Sequence, residues 1–178
     1  MDIFHLIVIC TPWEALCVDL FGPYTLKGKD GSSIDFMALT MIDPASSWLE
    51  VVELLTFTRV VMTKKVNGKE RTIEEEIFDK SSDRISRLVN KIWLCRYPRC
   101  RYLIYDNGLE FKLHFETLCD SCIQRKPTTI KNPKANAICE RVHQILGTMM
   151  RTSEIDMANS VEPADIDTSI DNTAWAFR

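Results

Sequence analysis

Three apolar, strand-like runs in the first third of the chain constrain its fold more than any other feature. They cover about 14–21, 34–42 and 48–55. A turn-rich stretch at 27–33 separates the first two, and Asp43-Pro44 ends the second. Connections this short suit neighbouring antiparallel strands rather than crossovers. The sequence therefore predicts an antiparallel meander of three strands, which later helices must cover.

The rest of the chain alternates helical and strand-like patterns. A helix is predicted after Ser81-Ser82-Asp83 and ends before Pro98, a strand covers 101–105, a helix covers about 110–122, and a short strand lies around Ile123. The last helix covers about 136–151. Three apolar stripes at helical spacing support these helices. Their members are Ile85, Leu88, Val89 and Ile92; Phe111, Phe115, Leu118 and Cys119; and Ile138, Val142, Ile145, Leu146 and Met149. This order of elements predicts an α/β fold, a mixed sheet flanked by helices.

Bulk properties limit the class of protein. At 178 residues the chain suits one α/β domain. Seven cysteines without a regular framework indicate a reducing, intracellular compartment. The apolar N-terminal run is too short to cross a bilayer, so no membrane association is expected. We expect a surface insertion at 63–80, turning at Asn67-Gly68. An acidic linker should follow the last helix, and residues 174–178 look like a helix cut short.

Charge is distributed unevenly along the chain. The formal net charge is −3, which alone argues against a nucleic-acid-binding protein. Residues 81–152, however, carry 13 Lys and Arg against 6 Asp and Glu, while the segments on either side are acidic. A local basic surface can attract a phosphate backbone even on an acidic chain, although uneven surface charge without function explains the pattern equally well.

Three carboxylates stand where a two-metal site would need them. Asp19 interrupts the first strand, Asp106 ends the strand at 101–105, and Glu140 lies on the last helix, opposite its predicted core stripe. Hard oxygen ligands suit Mg²⁺ or Mn²⁺, and two such ions can promote phosphoryl transfer. Each residue also has an ordinary explanation, since Asp-Asn-Gly forms tight turns and an outward Glu is common on helices.

A rival metal site is weaker. Cys119-x-x-Cys122, with His114 nearby, superficially suggests zinc. Both cysteines, however, continue the apolar stripe of the second helix, and no second pair has the usual ligand spacing. Buried core thiols are the favoured interpretation.

The chain resembles the catalytic core of retroviral and Ty3/gypsy-type retrotransposon integrases, in the ribonuclease H-like superfamily. The resemblance runs from about Pro12 to Thr152. It is carried by Pro12-Trp13-Glu14, by 18–24 (VDLFGPY) and by 42–48 (IDPASSW). Further on, it is carried by 105–111 (YDNGLEF) and by 132–144 (NPKANAICERVHQ).

The resemblance implies a mixed five-stranded sheet, with three antiparallel strands followed by parallel ones and helices on both faces. Residues 12–152 would be the catalytic core, 1–11 an N-terminal extension and 153–178 the linker and truncated helix. Asp19, Asp106 and Glu140 would be the catalytic triad and would hold two Mg²⁺ or Mn²⁺ ions. The loop at 127–137 would be a mobile flap. The candidate DNA contacts are Asn107, Lys134, Asn136, Arg141, His143 and Gln144.

The implied function is DNA integration, in which DNA 3′ ends are nicked and then transferred into target DNA. The implied partners are the element's DNA ends and target DNA, with a homodimer or higher assembly and a nuclear location. In two respects the chain departs from the family: 33 residues separate Asp106 from Glu140, about two fewer than is common, and Ala137 stands where Gly is frequent. An alternative function is therefore a non-catalytic nucleic-acid- or protein-binding remnant of a mobile element. A third is an RNA-strand nuclease of the same superfamily, which the Asp-Asn-Gly-x-Glu-Phe context disfavours.

Overall fold

A computed structural model describes residues 11–27, 31, 33–66, 69–120, 123–127 and 133–156; within these, the side chains of 58–74, 133–136 and 152–156 are not described. Seven strands are present in this part of the chain. They are β1 (Ala15–Lys27), β2 (Ser33–Ile42), β3 (Leu49–Glu53), β4 (Thr56–Val66), β5 (Lys69–Phe78), β6 (Tyr102–Tyr105) and β7 (Gln124–Pro127). The helices are α1 (Ser82–Leu88), which continues as a π-helical segment over Val89–Leu94, α2 (His114–Cys119) and α3 (Pro133–Asp156).

Five strands form one mixed sheet in the order β3-β2-β1-β6-β7. The pairs β1–β2 and β2–β3 are antiparallel, whereas β1–β6 and β6–β7 are parallel. The predicted meander, the five strands and the change from antiparallel to parallel pairing are all confirmed. Parallel strands need a crossover connection, and α1 and α2 lie in the two connections that flank β6.

Alternating residues of β1 supply two separate cores, one on each face of the sheet. Leu16 and Val18 join the residues of α1 and α2, in a cluster that includes Ile85, Trp93 and Phe115. Ala15 and Cys17 join the residues of α3, in a cluster that includes Cys139, Val142, Leu146 and Met150. Because side chains alternate along a strand, helices therefore cover both faces of the sheet, as predicted.

One predicted helix differs from the structure, and the region predicted as an insertion is partly described. The charged stretch within 63–80, expected as a surface insertion, contributes to a two-stranded hairpin, in which β4 pairs antiparallel with β5 apart from the main sheet; the predicted turn residues Asn67 and Gly68 lie outside the described residues. The helix predicted for 110–122 is split into a 3-10 turn at Leu109–Phe111 and the short α2. Leu113 separates them with a φ of 48°, a value that interrupts a right-handed helix.

The core face of α3 also differs from the predicted stripe. Val142 and Leu146 are buried as expected, but Ile138 and Ile145 are 38% and 39% exposed. Cys139 and Met150 are buried in their place. Cys139 and Met150 pack with residues of β1 and β6 in one cluster, and a hydrogen bond with Cys17 of β1 raises the pKa of Cys139.

Gly22 allows β1 to bulge just beyond Asp19, since the β1–β2 register shifts between Phe21 and Tyr24. Its φ is 105°, and a Cβ atom there would lie 2.7 Å from the carbonyl oxygen of Phe36. We therefore expect Gly22→Ala to lower the free energy of unfolding by about 1–3 kcal/mol from strain alone, with the clash added to it. Chemical denaturation would measure the change.

Gly31→Ala provides the matched control for this prediction. Gly31 also has a positive φ, 87°, but nothing lies within 4 Å of the position its Cβ would take. The Gly31 variant should lose only the strain contribution. Equal losses in the two variants would show that the approach of Phe36 does not constrain residue 22.

Candidate active site

Asp19 lies within β1, and Asp106 directly follows the neighbouring strand β6. The β1–β6 pairing ends with Cys17 opposite Ile104, and two more residues in that register lead to Asp19 and Asp106. Because side chains alternate, both carboxylates belong to the face that Cys17 and Ile104 share, and α3 covers this face. Neighbouring strands are about 4.8 Å apart, so the two chain positions are close.

Local hydrogen bonds orient both of these carboxylates. Oδ1 of Asp19 accepts a bond from the backbone N–H of Leu20 at 2.8 Å. Oδ1 of Asp106 accepts a bond from the N–H of Gly108 at 2.9 Å, which fixes the turn after β6. The Asp-Asn-Gly turn predicted from the sequence thus acts through its aspartate, which accepts a bond two residues further on.

Gly108 also allows a second carboxylate near this turn. A Cβ atom at residue 108 would lie 2.6 Å from the carboxyl carbon of Glu110. The Glu110 side chain therefore folds back over the glycine, toward the turn that Asp106 begins. Glu110 was not among the candidate residues predicted from the sequence. The available signal was the glycine two positions before it, Gly108.

Glu140 lies on α3 with its residue exposed to solvent. Among the described residues, no three His, Cys, Asp or Glu side chains are gathered closely enough to hold a metal ion. The oxygen chemistry of Asp19 and Asp106 suits Mg²⁺ or Mn²⁺, but the three carboxylates do not form a completed ligand cluster. The described residues therefore place Asp19 in the central strand β1, Asp106 directly after β6 and Glu140 on the covering helix.

His143, rather than Glu140, is the α3 residue that contacts Asp19. Its Nε2 lies 2.9 Å from Oγ1 of Thr40, and its Nδ1 lies 3.9 Å from Oδ2 of Asp19. The ring packs 5.4 Å from that of Phe21. Burial lowers the pKa of His143 to about 4, so the imidazole is neutral at pH 7 and forms no ion pair with Asp19. From the sequence, His143 was predicted as a DNA contact, and no pattern indicated Thr40 as its partner.

The other candidate DNA contacts are mostly on the surface. Asn107, Arg141 and Gln144 are exposed. Lys134 and Asn136 lie in the first turn of α3, but their side chains are outside the described part of the chain. Of the predicted flap at 127–137, residue 127 ends β7 and 133–137 begin α3, whereas 128–132 lie outside the described residues. The role of each in DNA binding stays a prediction.

The cysteines do not support the rival zinc site within the described residues. Cys119 is fully buried, and burial raises the pKa of its thiol to about 11. Cys122 lies outside the described residues. His114 is exposed at the start of α2. As described, Cys119 is a core thiol packed with Phe115 and Phe111.

Asp43 is a further buried carboxylate, and its function is structural. It is fully buried and accepts hydrogen bonds from the backbone N–H groups of Trp13, Ala45 and Ser46 and from the Ser46 hydroxyl. These bonds tie the segment before β1 to the turn after β2. The motif at 42–48 is therefore explained by a turn that organises the sheet edge, not by catalysis.

No protein-family model matches the sequence, and no curated protein matches it either. Solved structures do match the fold. A simian T-cell lymphotropic virus intasome aligns with a TM-score of 0.61 and 16% identity, over 94% of this chain and 49% of that one. The catalytic core domain of BIV integrase aligns with a TM-score of 0.54 and 14% identity, over 92% and 82% of the two chains.

The HTLV-2 integrase catalytic core domain in complex with magnesium, in its trimeric form, aligns with a TM-score of 0.55 and 17% identity, over 93% of this chain and 84% of that one. This chain therefore spans about half of the intasome chain and most of the isolated core domains. The fold of the protein is that of retroviral integrase catalytic cores, a mixed five-stranded sheet with helices.

Proposed function

We propose that this protein is the catalytic core of a retrotransposon-type integrase, which nicks DNA 3′ ends and transfers them into target DNA. The observation that carries the proposal is the position of Asp19 within β1 and of Asp106 directly after β6. Each lies two residues beyond the last paired residues of the two strands, Cys17 and Ile104, on the side of the sheet that α3 covers. The likeness of the fold to retroviral integrase cores supports the same function.

Asp19, Asp106 and Glu140 are the proposed catalytic and metal-binding residues, with two Mg²⁺ or Mn²⁺ ions as the cofactor. A divalent ion there would supply positive charge to the attacked phosphodiester and activate a water or a DNA 3′-hydroxyl. The protein's own part is to hold one carboxylate within β1 and one directly after β6, two neighbouring strands in the interior of the sheet. Phosphoryl transfer needs little more than such positioning and charge neutralisation. The HTLV-2 core was solved in complex with magnesium, which supports this choice of ion.

DNA is the proposed partner, both as the element's ends and as the target. Asn107, Arg141 and Gln144 would supply contacts from the exposed surface, and Lys134 and Asn136 from the start of α3. The excess of basic residues over 81–152 would favour the approach of a phosphate backbone. Arg and Lys would meet phosphates, and the amides could reach base edges.

Assembly, location and domain limits are proposed on the same basis. A homodimer or higher assembly is supported by the HTLV-2 core, which was solved in dimeric and trimeric forms. Nuclear location follows only from the proposed activity. No helix in the described residues combines the length and apolarity needed to cross a membrane. Residues 12–152 are proposed as the core, with 1–11 and 153–178 outside it.

A branched-DNA resealing assay in Mn²⁺, the reverse of strand transfer, tests the proposed activity. We expect the protein to reseal the substrate and Asp106→Asn to lower the rate at least about 100-fold, because the variant removes a charge at the reacting centre. Asp120→Asn is the matched control, since the Asp120 carboxylate is 63% exposed and pairs only with Arg125 among its described ion pairs.

Two results would contradict this activity. Equal resealing by the protein and by Asp106→Asn would exclude Asp106 from the chemistry. No resealing by folded protein, together with no Mn²⁺ binding, would favour the second candidate, a non-catalytic remnant that binds nucleic acid or protein. One observation favours that candidate: the three carboxylates do not form a metal-binding group among the described residues.

A further inference from the structure

A chain of two hydrogen bonds links α3 to the backbone of Asp19. The Thr40 hydroxyl donates to the carbonyl oxygen of Asp19 at 3.0 Å, across the β1–β2 pair. His143 Nε2 lies 2.9 Å from the same hydroxyl oxygen. A hydroxyl carries one proton, and here the carbonyl of Asp19 receives it, so Nε2 must be the donor to Thr40. The direction of the chain is thus fixed: His143 to Thr40 to Asp19.

This arrangement leaves the carboxylate of Asp19 out of the link. The 3.9 Å between Nδ1 of His143 and Oδ2 of Asp19 is too long for a hydrogen bond. His143 therefore holds the backbone of Asp19 and does not compete for its carboxylate oxygens.

The same link sets the position of α3. Glu140 precedes His143 by three residues, which is about 4.5 Å along a helix and about 60° around it. Neighbouring contacts lock the rest of the helix: the ring of His143 packs on Phe21, and Cys139 meets Cys17. A shift of this turn of α3 relative to β1 and β2 would strain the bond between His143 and Thr40.

We propose that His143 is a positioning residue, which acts through the Thr40 hydroxyl to fix α3, and with it Glu140, against the strand that carries Asp19. The inference rests on the proposed function for its effect on catalysis, but the link itself is independent of activity. It assigns His143 a role different from the DNA contact that the sequence suggested. Thr40 is fully buried, so a variant there reaches the link without touching any DNA-facing surface.

The test is a double-mutant cycle between Thr40→Val and His143→Phe. Valine keeps the shape of threonine without its hydroxyl, and phenylalanine keeps an aromatic ring on Phe21 without the donor. Thr40→Ser, which retains the hydroxyl, and His143→Gln, which can still donate from near the Nε2 position, are the matched controls. Outer residues that orient catalytic ligands commonly affect activity 10–100-fold, so each disruptive variant should lower kcat by about 10–100-fold. KM for DNA should not change.

Two further outcomes are expected. The double variant should be no worse than the more damaging single variant, because both changes break one link. Amide hydrogen exchange should become faster at 139–147 in both disruptive variants and stay near the parent rate in Thr40→Ser and His143→Gln. The exchange measurement needs no catalysis. A protein inactive in resealing would therefore refute the proposed function while the exchange result still decides whether the link exists.

Other results would overturn the inference. Unchanged exchange and unchanged kcat in Thr40→Val, with weaker DNA binding in His143→Phe, would make His143 a DNA contact. Additive effects in the cycle would mean that the two residues act separately, and a rise in kcat would mean that the bond restrains the site. If Thr40→Val did not fold, hydrogen exchange and kcat would be compared between His143→Phe and His143→Gln. Residue 143 is partly exposed, and this pair of variants also decides whether the hydrogen bond positions α3.

Discussion

Replacing Phe115 with alanine should lower the free energy of unfolding by about 3–5 kcal/mol, the usual loss when a buried aromatic side chain is truncated in a core. Phe115 is fully buried, and its ring lies 5.1 Å from that of Tyr105 and 5.0 Å from that of Phe111. All three belong to the cluster between α1, α2 and the sheet. The loss combines lost burial with a cavity that this interlocked group cannot fill without moving β6.

Position in the chain gives this variant a second effect. Tyr105 directly precedes Asp106, and Phe111 ends the 3-10 turn that follows it. The aromatic group therefore supports both sides of the turn that presents the candidate catalytic carboxylate. We expect resealing by Phe115→Ala to be reduced even at temperatures where the variant remains folded, because a shift of about 1 Å at a catalytic group can cost about 100-fold in rate.

Thr117→Ala serves as the control for Phe115→Ala. Thr117 is exposed on the same helix, and its hydroxyl bonds only locally to the carbonyl of Leu113 among its described hydrogen bonds. Surface changes of this kind usually stay within about 0.5 kcal/mol. Urea unfolding of the three proteins would decide the matter. A loss below about 1 kcal/mol in Phe115→Ala would mean that the rings of Tyr105 and Phe111 repack over the gap.

The sheet could be predicted from the sequence because its signals are local. The apolar runs around Asp19 and before Asp43, separated by short turns, allow little besides an antiparallel meander. The apolar spacing of Ile85 and Leu88 fixes the buried side of α1 for the same reason. Local pattern was sufficient wherever one face of an element is clearly more apolar than the other.

The local sequence pattern was insufficient where two faces of a helix are almost equally apolar. It was also insufficient where a contact joins residues far apart in the sequence. On α3, Ile138 and Ile145 look as apolar as Cys139 and Met150, and only packing against the distant strands buries the second pair. The bond between Thr40 and His143 joins residues 103 positions apart, so no periodicity could reveal it. The break at Leu113 likewise depends on a positive φ that the residue type does not favour.

The candidate site likewise combines features that local sequence patterns predict with features that depend on distant contacts. The sequence pattern placed Asp19 within the first strand and Asp106 at the end of the strand at 101–105, and the topology makes those two strands neighbours. The position of Glu140 relative to them depends on how α3 lies across the sheet, which is a property of packing between distant segments. The fold was therefore predictable from the sequence, whereas the assignment of the three carboxylates as a catalytic triad stays a prediction. The link from His143 through Thr40 to Asp19 joins α3 to the sheet, so variants of this link test the position of Glu140 directly.

The second large effect is expected at Asp43, where Asp43→Ala should lower the free energy of unfolding by about 3–5 kcal/mol. The carboxylate is fully buried and accepts bonds from three backbone N–H groups, those of Trp13, Ala45 and Ser46, and from the Ser46 hydroxyl. Alanine would leave these donors without their acceptor, and hydrogen bonds to a charged group are worth about 1.5–3 kcal/mol each before solvent and backbone relaxation recover part of the loss.

Because the bond to Trp13 spans 30 residues, its loss should also free the segment before β1. The ring of Trp13 stacks 5.2 Å from Tyr97, at the edge of the same core that contains Trp93. Near-ultraviolet circular dichroism should therefore lose tryptophan signal in Asp43→Ala. Asp79→Ala is the control. The Asp79 carboxylate accepts hydrogen bonds from the backbone N–H and the hydroxyl of Ser81, the described partner of its side chain, and both bonds are exposed to solvent. If both variants unfolded at the same urea concentration, relaxation of the 43–48 turn would be compensating for the lost carboxylate. The motif at 42–48 would then need an explanation other than its contribution to stability.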